Sequence, residues 1–212
     1  DRRNKARQSL QAFARAVMPS WQGGHHLDAL CAKLEAVERG ECKRLLVTMP
    51  PRHGKSQTTS ILFPAWALGR DPRKKFIVSS YGADLAQVLS RETQRIVDSE
   101  AFHVTFPATG LNESNVRSAA GKPLRNVDQW EMVDGATGRA AGGGYKCVGV
   151  GGSLTGHGGD VLIVDDPYKN RAEANSPTIR TGVNDWYKST LRTRLAPGGA
   201  IIIIATRWHP DD

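Results

Sequence analysis

The sequence predicts an α/β fold in which a central, mainly parallel β-sheet is flanked by helices and carries a small antiparallel hairpin insertion. Three observations carry that prediction. Short, wholly apolar runs recur along the chain, and strands apolar on both sides belong inside a covered parallel sheet. Stretches of helical periodicity alternate with them. Between residues 107 and 150 the texture changes to Gly, Asn and Ser with alternating pieces such as "QWEMVDG" and "YKCVGV", which reads as the hairpin.

Taken in order, residues 1–24 form a basic arm that turns Gly-rich at "MPSWQGG", and residues 25–212 form the main domain. From His26 to Arg39, the side chains of Leu27, Leu30, Leu34 and Val37 fall on one helical face, and Gly40 suits the C-terminal stop. Arg44 to Met49 reads as a buried strand. Gln57 to Leu68 reads as a helix that Pro64 should kink or end, because proline lacks an N–H and crowds the carbonyl four residues back. Lys75 to Ser80 is a second strand, and Asp84 to Ser99 a helix with Leu85, Leu89, Ile96 and Val97 on one side. Asp160 to Asp165 is an apolar strand ending in acids. Ser176 and Pro177 have the chemistry of an N-cap and first helical residue, for a helix carrying Ile179, Val183, Trp186 and Leu191. Gly199 to Ala205 is the last strand.

The composition is that of an ordinary globular protein, with 39% hydrophobic and 24% charged residues in a chain of 212, enough for one domain. Lys and Arg number 29 against 21 Asp and Glu, a net charge of +8, which favours polyanionic partners, nucleic acid first. Cys31, Cys42 and Cys147 are odd in number and in no C-x-x-C spacing. That argues against a disulfide framework or structural zinc, and for a reducing cytoplasm. No apolar run is long enough to span a bilayer, and no signal peptide opens the chain. The chain stops at "HPDD" directly after a motif-like stretch, as an excised piece of something longer would.

Chemistry concentrates first in "LLVTMPPRHGKSQTTS", Leu45 to Ser60. In the pattern G-x-x-x-x-G-K-[ST] between a strand and a helix, backbone N–H groups cradle phosphate oxygens. The Lys reaches the β and γ phosphates, and the hydroxyl serves Mg²⁺. Gly54, Lys55 and Ser56 fit; Met49 stands where the first glycine would be, and Pro50 and Pro51 stiffen the loop. The tripeptide alone also fits a solvated turn, but the strand before and the helix after favour phosphate.

"VLIVDDP" supplies the partner. A phosphate site using Mg²⁺ needs a carboxylate at the end of a neighbouring buried strand and a water-orienting group beside the γ-phosphate. Asp165 ends the strand and Asp166 follows. Successive strand side chains point opposite ways, so the two acids should diverge, and the turn into Pro167 lets Asp166 swing toward a nucleotide.

Residues 149–160, "GVGGSLTGHGGD", precede a strand, and Leu154 breaks G-x-G-x-x-G, so they are no dinucleotide fingerprint. They read as a mobile loop, or as a loop near the nucleotide or a DNA track. Thr206 and Arg207 follow the last strand at its C-terminal end, where α/β sheets place their ligands; the plain alternative is a strand-end cap. His25 with His26, and His209 with Asp211 and Asp212, lack the ligand spacing of a zinc site.

"PSWQ…HH", "MPPRHGKS", "SSYGADLAQVLSR", "GVGGSLTGHGGDVLIVDDPYKN" and "TRLAPGGAIIIIATRWHPDD" resemble, in order and spacing, the N-terminal ATPase half of the tailed-phage large terminases. The resemblance runs from about residue 17 onward. It implies a P-loop NTPase of the ASCE type that uses ATP and Mg²⁺ to drive double-stranded viral DNA into an empty capsid. By that resemblance Pro51, Arg52, His53, Gly54, Lys55, Ser56 and Gln57 surround ATP, with Lys55 on phosphate and Ser56 on Mg²⁺. Asp165 is the Walker B acid on the metal. Asp166 stands, on a shorter arm, where most relatives have the catalytic Glu, and acts with Lys55 and Arg52. Trp21 and Gln22 match the adenine-reading element, and Thr206 and Arg207 the motif coupling hydrolysis to motion. Arg52, Arg91, Arg139 and Arg207 are candidates for a transition-state arginine, Arg139 for one acting in trans.

The resemblance also implies partners: duplex DNA held by its phosphates, since a packaging motor must move any sequence, the portal protein, the small terminase subunit, and further copies in a ring. In isolation a monomer is expected, binding ATP but hydrolysing it weakly. The implied place of action is the host cytoplasm, at the procapsid portal, with no membrane involved. Nothing corresponds to the family's C-terminal nuclease domain, so no nuclease activity is expected. Rival readings are a helicase-like translocase, whose usual second core domain is missing, a small-molecule P-loop kinase, which has no need of the basic excess, and a DNA-binding module with a dead nucleotide site, at odds with the intact Lys55, Ser56, Asp165 and Asp166.

Overall fold

The computed structural model describes residues 2–112 and 122–211. Its strands are β1 (Arg44–Thr48), β2 (Lys75–Ser80), β3 (Thr109–Gly110), β4 (Gln129–Asp134), β5 (Ala140–Gly149), β6 (Gly159–Asp165) and β7 (Leu195–Ala205). Among the described residues they form one seven-stranded sheet in the order β1-β7-β6-β2-β5-β4-β3. It is parallel from β1 to β5 and antiparallel at β3 and β4. The expected hairpin is β4–β5. It is not set apart, because β5 also pairs in parallel with β2, from Lys75 against Gly144 to Ser80 against Gly149.

The helices are α1 (Arg2–Gln8), α2 (Leu10–Val17), α3 (His25–Glu38), α4 (Phe63–Arg70), α5 (Ala83–Val97), α6 (Glu100–Thr105), α7 (Arg171–Asn175) and α8 (Pro177–Trp186). The stretch read as a basic arm thus folds, over residues 2–17, as two helices. Ala6, Leu10, Phe13 and Ala14 recur at helical spacing and are buried, with Phe13 set edge-on to Phe102 of α6 at 6.2 Å. Ser9 caps α2 by accepting the Ala12 N–H. The basic residues had masked this apolar stripe.

Strand alternation divides the core. Phe76, Val78, Val161 and Ile163 point to the face covered by α2 to α5, where Leu34, Phe63, Trp66 and Tyr145 join them. Ile77, Leu162 and Val164 point to the other face, against Leu154, Trp186 and Leu191. On α5, Leu85 is only half-buried, and small residues, Ala86, Ser90 and Thr93, fill the contact instead. On α8, Ser176 caps as expected by accepting from the Ile179 N–H. Ile179 itself is 39% exposed, so Trp186 and Leu191 hold this segment down.

Pro64 neither ends nor breaks its helix, which runs to Arg70. The turn before it, Gln57–Leu62, widens into a π-helix, with the Phe63 N–H reaching back to the Thr58 carbonyl. The carbonyl that proline would orphan, that of Ser60, is taken by the Tyr145 hydroxyl at 3.2 Å and the Thr93 hydroxyl at 3.4 Å. Tertiary donors thus replace the missing backbone one.

The Gly-rich segment is a pinned connection rather than a free loop. Residues 150–158 carry the chain from the C-terminal end of β5 back to the start of β6, across the sheet face opposite α5. Leu154 is buried there, the Trp186 Nε1–H donates to the Gly152 carbonyl at 2.9 Å, and His157 Nε2 pairs with Gln129 at 2.9 Å. A side chain at Gly152 would collide with Val148 at 2.5 Å, so glycine here serves close packing. Among the described residues no helix is long and apolar enough to cross a membrane.

Candidate nucleotide site

Strands β1, β7 and β6 are adjacent and parallel, so their C-terminal ends come together. β1 opens into the loop of residues 49–54, where Arg52 (φ 62°) and Gly54 (φ 79°) are left-handed. At Gly54 a Cβ would also crowd Leu27 at 3.3 Å, so this position requires glycine. At Arg52 the same conformation costs about 1–2 kcal/mol. The chain turns helical at Lys55, so unpaired N–H groups face the mouth of the loop.

Lys55 is 5% exposed. Its Nζ lies 2.9 Å from Asp166 Oδ2 and donates to Thr206 Oγ1 at 3.0 Å. The Thr206 N–H donates to Asp166 Oδ1 at 2.7 Å. Asp166 reaches this position because its backbone leaves the strand with φ 45°, a conformation aspartate tolerates. Its own N–H stays anchored to the Ile204 carbonyl at 2.9 Å. The three motifs identified in sequence therefore meet in one cluster of a lysine, a carboxylate and a threonine.

Asp165 diverges from Asp166, as strand alternation requires. It is 1% exposed, with Oδ1 accepting from Ser56 Oγ at 2.8 Å and Oδ2 from Ser60 Oγ at 2.6 Å. Burial pushes its carboxyl up to about 6, against the pull of the Ser60 and Ser56 hydroxyls. The donor chemistry fits Mg²⁺, since a carboxylate and a hydroxyl are hard oxygen groups and the ion completes its shell with water. Among the described residues no cluster of three or more His, Cys, Asp or Glu side chains could hold a metal; Asp212 lies outside the described residues.

The other predicted residues lie at varied distances from this cluster. Pro51, Arg52 and His53 are exposed on the loop and Gln57 is half-buried behind it. A cleft of about 370 Å³, lined by Thr48, Met49, Pro50, Pro51, Thr206 and Arg207, opens alongside. A second cleft, at Lys75, Gln129 and His157, lies toward the opposite end of the sheet. Trp21 is 4% exposed; its Nε1–H donates to Thr58 Oγ1 at 3.3 Å. It braces the helix after the loop rather than presenting an open ring face, while Gln22 beside it is exposed. Arg207 bonds the Pro210 carbonyl at 2.8 Å. Arg91 is exposed on α5. Arg139 precedes β5, whose far end, Gly149, is level with Ser80 and Asp165. It therefore stands roughly 30 Å from the site of its own chain.

Sequence reading missed Ser60 as a partner of Asp165. Its signal was the spacing Ser56–Ser60, four apart, which puts two hydroxyls on one helical face. It also missed Ser80, which closes β2 beside Asp165.

Residues 46–212 match the family described as terminase large subunit, T4likevirus-type, N-terminal. No curated protein matches the chain. Among solved structures, the large terminase ATPase domain of Thermus phage P74-26 is similar with a TM-score of 0.61 and 16% identity, over 91% of this chain and 67% of that one. The large terminase of bacteriophage HK97 is similar with a TM-score of 0.53 and 12% identity, over 95% of this chain; the chain spans 38% of the length of that protein. At these identities the likenesses describe the fold alone. With most of its length matched, the chain belongs to the terminase large-subunit family, as its N-terminal, T4-like part.

Proposed function

We propose that this domain binds ATP with Mg²⁺ where β1, β7 and β6 end, hydrolyses it to ADP and phosphate, and so powers translocation of double-stranded DNA into a procapsid. The observation that carries the reading is the position of Lys55, buried, with its Nζ held between Asp166 and Thr206. A buried ammonium poised at a helix start, with loop N–H groups around it, is built for a polyphosphate.

In this reading the γ-phosphate replaces Asp166 as the partner of Lys55, and the loop N–H groups take the β-phosphate oxygens. Asp166, released from the lysine, orients the attacking water and accepts its proton. Thr206 keeps hold of Asp166 through its N–H and reports the change to β7. Ser56 and Asp165 would hold Mg²⁺, which when bound neutralises charge on the β and γ phosphates. Arg52, exposed at the loop, would add positive charge in cis. Arg139 of a neighbouring copy in a ring would act in trans, where such an arginine is worth about 10³–10⁵ in rate.

Family membership favours the packaging motor over a helicase-like translocase or a metabolite kinase. We assign duplex DNA phosphates, the portal protein and the small terminase subunit as partners, and the host cell's procapsid portal as the place of action. The test is ATP turnover by this chain with and without duplex DNA, alongside nucleotide binding. Binding in the wild type and its loss in Lys55→Ala are expected, with slow turnover. Normal nucleotide uptake by Lys55→Ala would overturn the reading.

A further inference from the structure

Three buried side-chain groups make no hydrogen bond among the described residues, those of Thr59, Ser80 and Arg194, and of these Ser80 stands in register with Asp165. Ser80, the last residue of β2, is fully buried, and its hydroxyl has no hydrogen-bond partner. Its neighbour Ser79 behaves normally, donating to the Ile163 carbonyl at 3.1 Å. A buried hydroxyl with nothing to bond is destabilising, and native structures retain few of them.

Its surroundings indicate what it serves. Ser80 is in register with Asp165 on the neighbouring parallel strand, so the two backbones lie about 4.8 Å apart. Alternation puts both side chains on the same face: Phe76 and Val78 precede Ser80 at even spacing, Val161 and Ile163 precede Asp165, and all four enter the core that meets the phosphate-loop helix. Both strands end here, at the C-terminal edge of the sheet. Asp165 accepts from Ser56 and Ser60, and the Ser80 hydroxyl makes no hydrogen bond to it.

We infer that Ser80 belongs to the nucleotide site, its hydroxyl bonding an oxygen in the hydration shell of the divalent cation gathered at Asp165. The inference rests on the proposed ATP site and adds a positioning residue to it, one that touches metal-bound water rather than phosphate.

The inference makes stability and ligand binding respond in opposite directions, which a purely structural serine would not do. The test compares wild type, Ser80→Ala and Ser80→Cys, measuring urea midpoints without ligand and the affinity for a fluorescent ATP analogue in Mg²⁺ and in EDTA. Expected are an unchanged or raised midpoint, unchanged affinity in EDTA, and affinity in Mg²⁺ weakened about fivefold, the size of one such hydrogen bond. The near-isosteric cysteine should reproduce the loss without a cavity. A lowered midpoint with an intact Mg²⁺ effect in both variants would make Ser80 structural and overturn the inference while leaving the ATP site standing. A wild type that binds no nucleotide would take both down.

Discussion

Replacing Asp165 with Asn should stabilise the nucleotide-free protein at neutral pH while abolishing the Mg²⁺ dependence of nucleotide binding. The Asp165 carboxyl, 1% exposed, titrates at about 6 instead of 3.8, burial being the main cause. A carboxyl whose value is raised on folding holds an extra proton in the native state between those two pH values. Its contribution is therefore fully present below pH 3.8 and is lost as pH rises through 6. Each pH unit between the two values is worth about 1.4 kcal/mol, so the loss is on the order of 3 kcal/mol. Asn carries no charge to desolvate, and its amide can bond both Ser56 and Ser60. The difference between variant and wild type should thus be near zero at pH 4 and grow to about 3 kcal/mol by pH 7, or roughly 6–12 °C in Tm for a domain of this size. Paired urea melts in EDTA at half-unit steps from pH 4 to 7.5 measure it. A difference that stays constant across that range, or a variant less stable at pH 7, would refute the account of this carboxylate.

Three further outcomes follow from the same contacts. Tyr145→Phe removes the 3.2 Å donor to the Ser60 carbonyl and leaves it the longer Thr93 bond; the protein should lose about 1 kcal/mol, read as a lower urea midpoint. Arg52→Gly relieves the left-handed strain at φ 62° whereas Arg52→Ala keeps it, so urea melts should find the glycine variant about 1 kcal/mol more stable than the alanine variant, with ATP turnover lowered in both. Burial pushes the thiols of Cys31 and Cys147 up to about 12, so at pH 8 a thiol reagent should titrate Cys42 quickly and the other two only after unfolding.

Strands β2, β6 and β7 were legible because each carries a run apolar on both sides, a pattern a one-faced sheet does not produce; β1, read as a buried strand, is instead the edge of the sheet, with Leu46 67% exposed. The phosphate loop and the acid pair were legible because their chemistry is local: Gly54, Lys55 and Ser56 adjoin in sequence, as do Asp165 and Asp166. Contacts between distant segments were not. Nothing local says that Pro64 is tolerated, since the donors that rescue its helix come from Thr93 and Tyr145. Trp21 was assigned to adenine by the family resemblance alone, and no local pattern shows that its indole N–H finds Thr58 or that its ring is buried. The orphaned hydroxyl of Ser80 could be seen only once β2 and β6 were in register.

The adjacency of Asp166 and Thr206 also bears on how a short acid could do the work of a longer one. A glutamate at position 166 would carry its carboxylate one methylene further, beyond the Thr206 N–H that holds Asp166 at 2.7 Å. Here the reach comes from the backbone, turned to φ 45°, and the carboxylate stays attached to the end of β7. In the proposed reaction a triphosphate draws Lys55 away from Asp166, but it cannot free Asp166 from Thr206 without moving one of the two strand ends. In that proposed reaction the short side chain keeps the acid fastened to the end of β7 while the lysine changes partner, with Thr206 as the link. A longer, looser acid at this position would absorb the same change by rotating its own side chain.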